Sequence, residues 1–197
     1  ALALGGAPIN AQIPPECSPD VLNNTLNLSL LLQCRAFQPG QTGLDLHDRR
    51  VKAIIAMNPI ASAVFGRNSI QQVGVPTMIV AGNADTIAPA LQEQIQPFTW
   101  LTTNDKYLLL LEQGTHFSVI GTSASGDVLP IPEDVIGPSP ATARRYASAM
   151  SVAFFQTYLA NQSTFRPYLS ATYTRAISEA PIELSLVRSF SSNLSFR

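Results

Sequence analysis

The stretch VPTMIVAGNADTIAPALQEQIQPFTWL, residues 75 to 101, decides the fold of this chain. Residues 75–82 form an apolar run bounded by turn residues, which is typical of a parallel strand buried on both faces. An acid-bearing loop with Asp85 follows. Pro89 can open a helix, since proline suits a first turn, and Pro97 can close or kink it. The stretch therefore predicts a strand, a loop and a helix.

Two similar apolar runs flank this stretch, VKAIIAMNP at 51–59 and KYLLLLEQG at 106–114. The second of them completes a strand–helix–strand crossover, a connection that is almost always right-handed. Over about 141–160 the aromatic residues recur with the 3.6-residue period of a helix that packs on a sheet. We therefore predict an α/β fold with about three parallel strands flanked by helices.

The 197 residues fit a single domain with a sizeable core. We expect three parts: a helical insertion at 8–48, a βαβ core at 49–160 that carries the functional loops, and a C-terminal helical extension at 161–197. The insertion lacks strand alternation but contains the Leu-rich run NNTLNLSLLLQC. These leucines predict a segment whose apolar side chains pack over another apolar surface.

Composition excludes several classes of protein. Charged residues make up 13% and the net charge is −1, which argues against nucleic-acid binding because phosphate recognition needs a concentrated excess of Lys and Arg. No apolar run approaches the roughly 18 to 20 residues of a membrane span. The N-terminus ALALGGAPIN lacks the basic region of a signal peptide and resembles the tail of an interrupted helix, so we expect a fragment. Nothing in the pattern calls for a metal or a cofactor.

Cys17 and Cys34 flank the Leu-rich run and leave two readings open. They form either a disulfide, which would suggest an oxidising compartment, or two free buried thiols. The protein is either exported or cytoplasmic. Sequence alone does not choose between these compartments.

Asp85 and His116 are the candidate catalytic residues. Each alone has an ordinary interpretation, because an Asp before a helix is often a turn or cap residue and a His in a loop is often incidental. Together they follow consecutive strands, whose carboxyl ends share one edge of a parallel sheet. A serine hydroxyl needs an imidazole to take its proton and a carboxylate to orient that imidazole. The pair therefore predicts two members of a Ser-His-Asp triad.

The nucleophile of such a triad should precede the acid on a G-x-S-x-G turn, and the chain contains no such motif. The nearest imitation is GTSAS, in which Ser123 follows Gly121, but Ser125 replaces the second glycine and the segment follows the histidine. Both cysteines lack the strand–turn–helix setting and are interpreted as structural. His47 is expected at the surface.

Several segments resemble one family closely: DRRVKAIIAMNPI, VPTMIVAGNADTIAPALQEQIQPFTWL, LEQGTHFSVIG and LPIPEDVIGPSPATARRY. They are similar to the C-terminal half of the cyanobacterial dienelactone-hydrolase-like or platelet-activating-factor-acetylhydrolase-like group of the α/β-hydrolase superfamily. Polyester hydrolases and cutinase-like lipases carry similar NADTIAP and GTHF loops. The resemblance implies a serine esterase or lipase-like hydrolase with Asp85 as the triad acid and His116 as the base.

The resemblance also implies what the chain lacks. In the family a G-H-S-x-G-G elbow lies just upstream of a helix similar to ALALGGAPIN, so the serine and the oxyanion-hole donors are expected before Ala1, and this chain alone should not turn over an ester. Residues 8–48 correspond to a lid-like insertion, which suits a small-molecule or lipid-like ester substrate. The N-terminal half of the enzyme, or self-association, is expected to cover the exposed sheet edge.

Two alternatives remain open. A non-catalytic α/β-hydrolase-like binding module or subunit could retain Asp85 and His116 without chemistry. A lactone hydrolase with a cysteine nucleophile would instead be inactivated by thiol reagents.

Overall fold

A computed structural model describes residues 1–37, 42–119 and 136–188. Its sheet contains the strands β1 (Ile54–Met57), β2 (Thr77–Gly82), β3 (Lys106–Leu111) and β4 (Leu184–Arg188), in the spatial order β1-β2-β3-β4. The first three are parallel and β4 runs antiparallel to β3. The predicted α/β class, with three parallel strands at the predicted places, is confirmed.

The helices connect and flank these strands. They are α1 (Pro19–Asn23), α2 (Leu28–Cys34), α3 (Ser62–Ile70), α4 (Gln96–Trp100), α5 (Pro140–Tyr158) and α6 (Ala171–Ile177). Two short 3₁₀ helices lie at Pro15–Cys17 and Ser163–Tyr168. The helix predicted after Pro89 begins with a π-helical turn, Leu91–Ile95, and continues as α4, where Pro97 lies in the first turn and does not end the helix.

The core lies on both faces of the sheet, because successive side chains of a strand point to opposite sides. Met78 and Val80 of β2 pack with α5 on one face. Ile79 and Ala81 pack on the other face with α3, α4 and the N-terminal turn. On α5, Tyr146, Met150 and Phe154 of the predicted stripe are buried, each at 0% exposure, whereas Tyr158 at its end is partly exposed.

The strand β4 was not predicted, since residues 161–197 were expected to be helical. Leu184 and Leu186 are buried against the α5 face, whereas Ser185 and Val187 are exposed. This alternation is too short to stand out in the sequence, and it is the free edge of β3 that supplies the ladder hydrogen bonds. Among the described residues, β1 at the other edge pairs with β2 alone.

Within the segment 8–48, the described residues include the 3₁₀ helix Pro15–Cys17 and the helices α1 and α2. Cys17 and Cys34 form a disulfide, so they are not a pair of free thiols. Leu28 and Leu32 remain partly exposed on α2, at 44% and 43%, and Leu26 before it is fully exposed. Within the described ranges, no helix combines the length and apolar character needed to cross a membrane.

Candidate active site

The structure brings Asp85 and His116 together at the carboxyl edge of the sheet. Asp85 lies in the loop after β2 and His116 in the loop after β3, and the two strands are paired in parallel register up to Gly82 and Leu111. The Oδ2 atom of Asp85 lies 2.8 Å from Nδ1 of His116. The two residues that the sequence placed at one edge are therefore in direct hydrogen-bond contact.

Two glycines allow the loops to approach so closely. A Cβ atom on Gly82 would lie 2.3 Å from the carbonyl oxygen of Gly114, and one on Gly114 would lie 2.9 Å from Cβ of Leu111. The amide of Ala84 donates to the Gly114 carbonyl at 2.9 Å. The glycines in AGNAD and EQGTH are thus required by close backbone contact between the acid loop and the histidine loop.

The Asp85 carboxylate is fixed by its own turn. Its side chain is fully buried, and Oδ1 accepts hydrogen bonds from the amides of Ile87 at 2.9 Å and Ala88 at 2.7 Å. This is the turn role that the sequence left as an ordinary alternative, and it coexists with the contact to His116. One oxygen therefore holds the loop and the other holds the imidazole.

The His116 side chain is 26% exposed, and its ring lies edge-on to Phe117 with centroids 5.3 Å apart. An ionised carboxylate only accepts hydrogen bonds, so the contact favours the tautomer with hydrogen on Nδ1. Nε2 then carries the lone pair, and among the described residues it has no hydrogen-bond partner. This arrangement can accept a proton at Nε2 while the neighbouring charge stabilises the imidazolium.

The histidine loop is anchored from its other side by Ser118, which the sequence did not single out. Its Oγ accepts from the Thr115 amide at 2.8 Å and donates to the Ile136 carbonyl at 3.0 Å. Thr115 Oγ1 also donates to the Ile136 carbonyl, at 2.9 Å. The Ser118 hydroxyl is therefore engaged in loop structure.

Asn58 is a further polar residue at this edge of the sheet, and its type alone did not identify it in the sequence. It follows β1 directly, and its side chain hydrogen-bonds to the histidine loop. The signal available in the sequence was its position, because it is a polar residue at the end of a buried strand, as Asp85 and His116 are.

The other candidates lie elsewhere. His47 is exposed, as expected. Cys17 and Cys34 are joined in the disulfide, so neither is available as a nucleophile. Gly121, Ser123 and Ser125, the imitation of the serine turn, lie outside the described residues.

Residues 40–129 match the family model described as PETase: PET hydrolase-like. The match covers somewhat less than half of the chain and includes both Asp85 and His116. It supports membership of the α/β-hydrolase superfamily and agrees with the helix-flanked sheet. Because the family is one of hydrolases, it also supports an ester hydrolase with a small-molecule substrate. Comparison with curated proteins finds no match.

Proposed function

We propose that Asp85 and His116 are the acid and the base of a serine hydrolase that cleaves carboxylic esters. The observation that carries this proposal is the 2.8 Å contact between a fully buried carboxylate and Nδ1 of a partly exposed imidazole. The match to a hydrolase family across both loops supports it.

In the proposed mechanism Nε2 of His116 takes the proton of the serine hydroxyl as the serine oxygen attacks the ester carbonyl. The imidazolium then passes this proton to the leaving alcohol, and an acyl-serine forms. Water, deprotonated by the same Nε2, then attacks the acyl carbon. The bond from this carbon to the serine oxygen breaks, the imidazolium returns the proton to that oxygen, and the carboxylic acid leaves. Asp85 keeps the ring in one orientation and stabilises its positive charge through both steps.

The serine itself is proposed to lie upstream of Ala1, on a glycine-flanked elbow of the dienelactone-hydrolase-like or platelet-activating-factor-acetylhydrolase-like type. The absence of G-x-S-x-G from residues 1–197 and the use of Ser118 in its own loop support this. The Leu-rich insertion favours a lipophilic ester. By itself, this chain is expected to be inactive, since each missing oxyanion donor costs about 10²- to 10³-fold in rate.

A fluorophosphonate probe tests the proposal, because it labels only an activated serine. A protein extended upstream through the elbow should be labelled, and the 197-residue chain should not. Labelling should disappear when His116 is changed to Ala and persist when Ser123 and Ser125 are both changed to Ala. If the extended protein folds but stays unlabelled, the non-catalytic binding module becomes the better reading.

A further inference from the structure

Asn58 lies at the end of β1 in a backbone conformation and a buried environment that few residue types tolerate. Its φ angle is 42°, in the left-handed region, where asparagine is one of the few residues other than glycine that are common. The residue is only 8% exposed. Its backbone amide donates to the Val80 carbonyl at 2.8 Å, which fixes the start of the turn against β2.

The side-chain amide of Asn58 contacts the end of β2, which leads into the acid loop, and the histidine loop. Oδ1 accepts from the amide of Gly82, at the end of β2, at 3.2 Å. Nδ2 donates to the carbonyls of His116 at 2.9 Å and Thr115 at 3.3 Å. Since β2 lies between β1 and β3, this one side chain reaches across the end of β2 to the histidine loop.

We infer that Asn58 is a positioning residue for the Asp85–His116 pair, an inference that rests on the proposed function. The amide fixes the backbone of the residue whose imidazole meets Asp85, and it ties that backbone to the strand that carries the acid. Without the Nδ2 donor, the His116 carbonyl loses its partner and the ring can move away from the buried carboxylate.

The expected effect is partial, because the histidine loop keeps its other anchor. Thr115 remains held through Ser118 and Ile136 when Asn58 changes. In a serine-containing form of the enzyme, loss of the amide should lower kcat about 10- to 100-fold, as misplacement of a catalytic group on the order of 1 Å does, with KM changed far less.

Two substitutions separate the functions of the amide. Asn58→Gly tolerates the left-handed backbone and removes both halves of the side chain. Asn58→Asp tolerates that backbone and keeps an acceptor for the Gly82 amide, but it replaces the donor to His116 with an acceptor. The matched control is Gln94→Met, because Gln94 is also a buried amide and donates to the Pro59 carbonyl at 2.7 Å. Among the described residues, it has no hydrogen bond to the acid loop or the histidine loop.

Proton NMR of the imidazole groups provides a readout that needs no nucleophile. The chain has only two histidines, and exposed His47 serves as the rapidly exchanging reference. The Nδ1 proton of His116 should be protected in the unaltered chain. It should exchange at least about 10-fold faster in both Asn58 variants and remain protected in Gln94→Met.

The outcomes distinguish two failures. If Asn58→Asp protects the proton as well as asparagine does, the donor to His116 is not needed and the positioning role is wrong, while the acid–histidine pair stands. The same holds if Asn58→Gly has no effect. If the Nδ1 proton exchanges freely in the unaltered chain, or if Asp85→Asn does not change its exchange rate, Asp85 and His116 do not form a hydrogen-bonded pair. The proposed function would then be wrong as well.

Discussion

Asp85 and Glu93 are two buried carboxylates in the same connection between β2 and α4, and they have different surroundings. Asp85 is 6% exposed as a residue and Glu93 is 1% exposed. One carboxylate oxygen of Asp85 accepts hydrogen bonds from its own turn, and the other contacts a partly exposed imidazole. Both carboxylate oxygens of Glu93 accept hydrogen bonds from uncharged groups.

The hydrogen bonds of Glu93 connect its own segment to two others, α2 and the start of α3. Oε2 accepts from the amides of Ala61 and Ser62, at 2.8 and 3.0 Å, where α3 begins. Oε1 accepts from the hydroxyls of Ser29 and Ser62, both at 2.8 Å, and from Nε2 of Gln33 at 2.9 Å. Glu93 thus ties α2 of the insertion to the core.

Glu93 also acts where α3 lacks a cap of its own. Ala61 precedes α3 and has no side chain to accept a hydrogen bond, so Glu93 and Oε1 of Gln33 take the free amides of the first turn. An anion at a helix N-terminus is favoured by the helix dipole. Burial therefore does not distinguish the proposed triad acid from a carboxylate that holds the fold together, whereas their hydrogen-bond partners differ.

The largest difference should come from removing the charge at Asp85. In the serine-containing enzyme, Asp85→Asn should lower kcat about 10⁴-fold, because the amide favours the wrong imidazole tautomer. Steady-state hydrolysis of a chromogenic ester measures this. The control is Asp45→Asn, because Asp45 is an exposed aspartate that also accepts from the amide two residues on, at 2.9 Å. A small effect at Asp85 would remove the contrast with Glu93.

Glu93→Gln should have the opposite profile. The amide group would face buried donors, and each donor left without an acceptor costs about 1 to 3 kcal/mol, so we expect the free energy of unfolding to fall by about 3 to 4 kcal/mol. Urea unfolding measures the loss, with the exposed Glu112→Gln as the control. His116 Nδ1 should stay protected in the folded variant. Loss of that protection would couple the insertion to the site.

Removing the disulfide tests whether α2 needs both the crosslink and the hydrogen bonds to Glu93 to stay in place. Changing Cys17 and Cys34 together to Ser should lower the free energy of unfolding by about 3 kcal/mol, the value expected for a crosslink across a sequence separation of 17. Glu93 should still hold α2, so probe labelling of the extended enzyme should be unchanged. If labelling falls in step with stability, the insertion helps to form the active site.

The smallest effect on stability is expected from removing a hydrogen bond to a third carboxylate, that of the partly exposed Asp105. Tyr158 donates to its Oδ1 at 2.7 Å and lies 2.6 Å from the Tyr107 hydroxyl. Tyr158→Phe should cost about 1 kcal/mol of stability by urea unfolding near neutral pH. Tyr173→Phe is the control, since among the described residues the Tyr173 hydroxyl has no hydrogen-bond partner.

The same tyrosine should affect stability at alkaline pH. Burial, followed by the hydrogen bonds with Tyr107 and Asp105, raises the pKa of Tyr158 above that of an unfolded chain. Its contribution is therefore fully present below the unfolded value of about 10 and is lost as the pH rises above it. Urea unfolding at pH 8 and pH 10.5 should show a smaller decline for Tyr158→Phe than for the unaltered protein. An equal decline would contradict the role of this hydroxyl.

Much of the framework could be predicted from local pattern. The three parallel strands, the helix α5 and the shared edge of Asp85 and His116 follow from apolar runs, a 3.6-residue period and the order of the loops. Asn58 and Glu93 could not be assigned this way. Their partners lie in segments distant along the chain, and a polar residue after a strand or in a helix has too many ordinary roles for its type alone to identify them.

The sequence by itself determined the alternation of strands and helices and the edge at which the acid and the histidine meet, because side-chain periodicity and parallel pairing act over short stretches. Only the tertiary structure decided that Cys17 meets Cys34, that β4 pairs with β3, and that one buried carboxylate faces an imidazole while the other caps a helix. Those choices depend on which distant groups are brought within hydrogen-bond distance once the two faces of the sheet are packed.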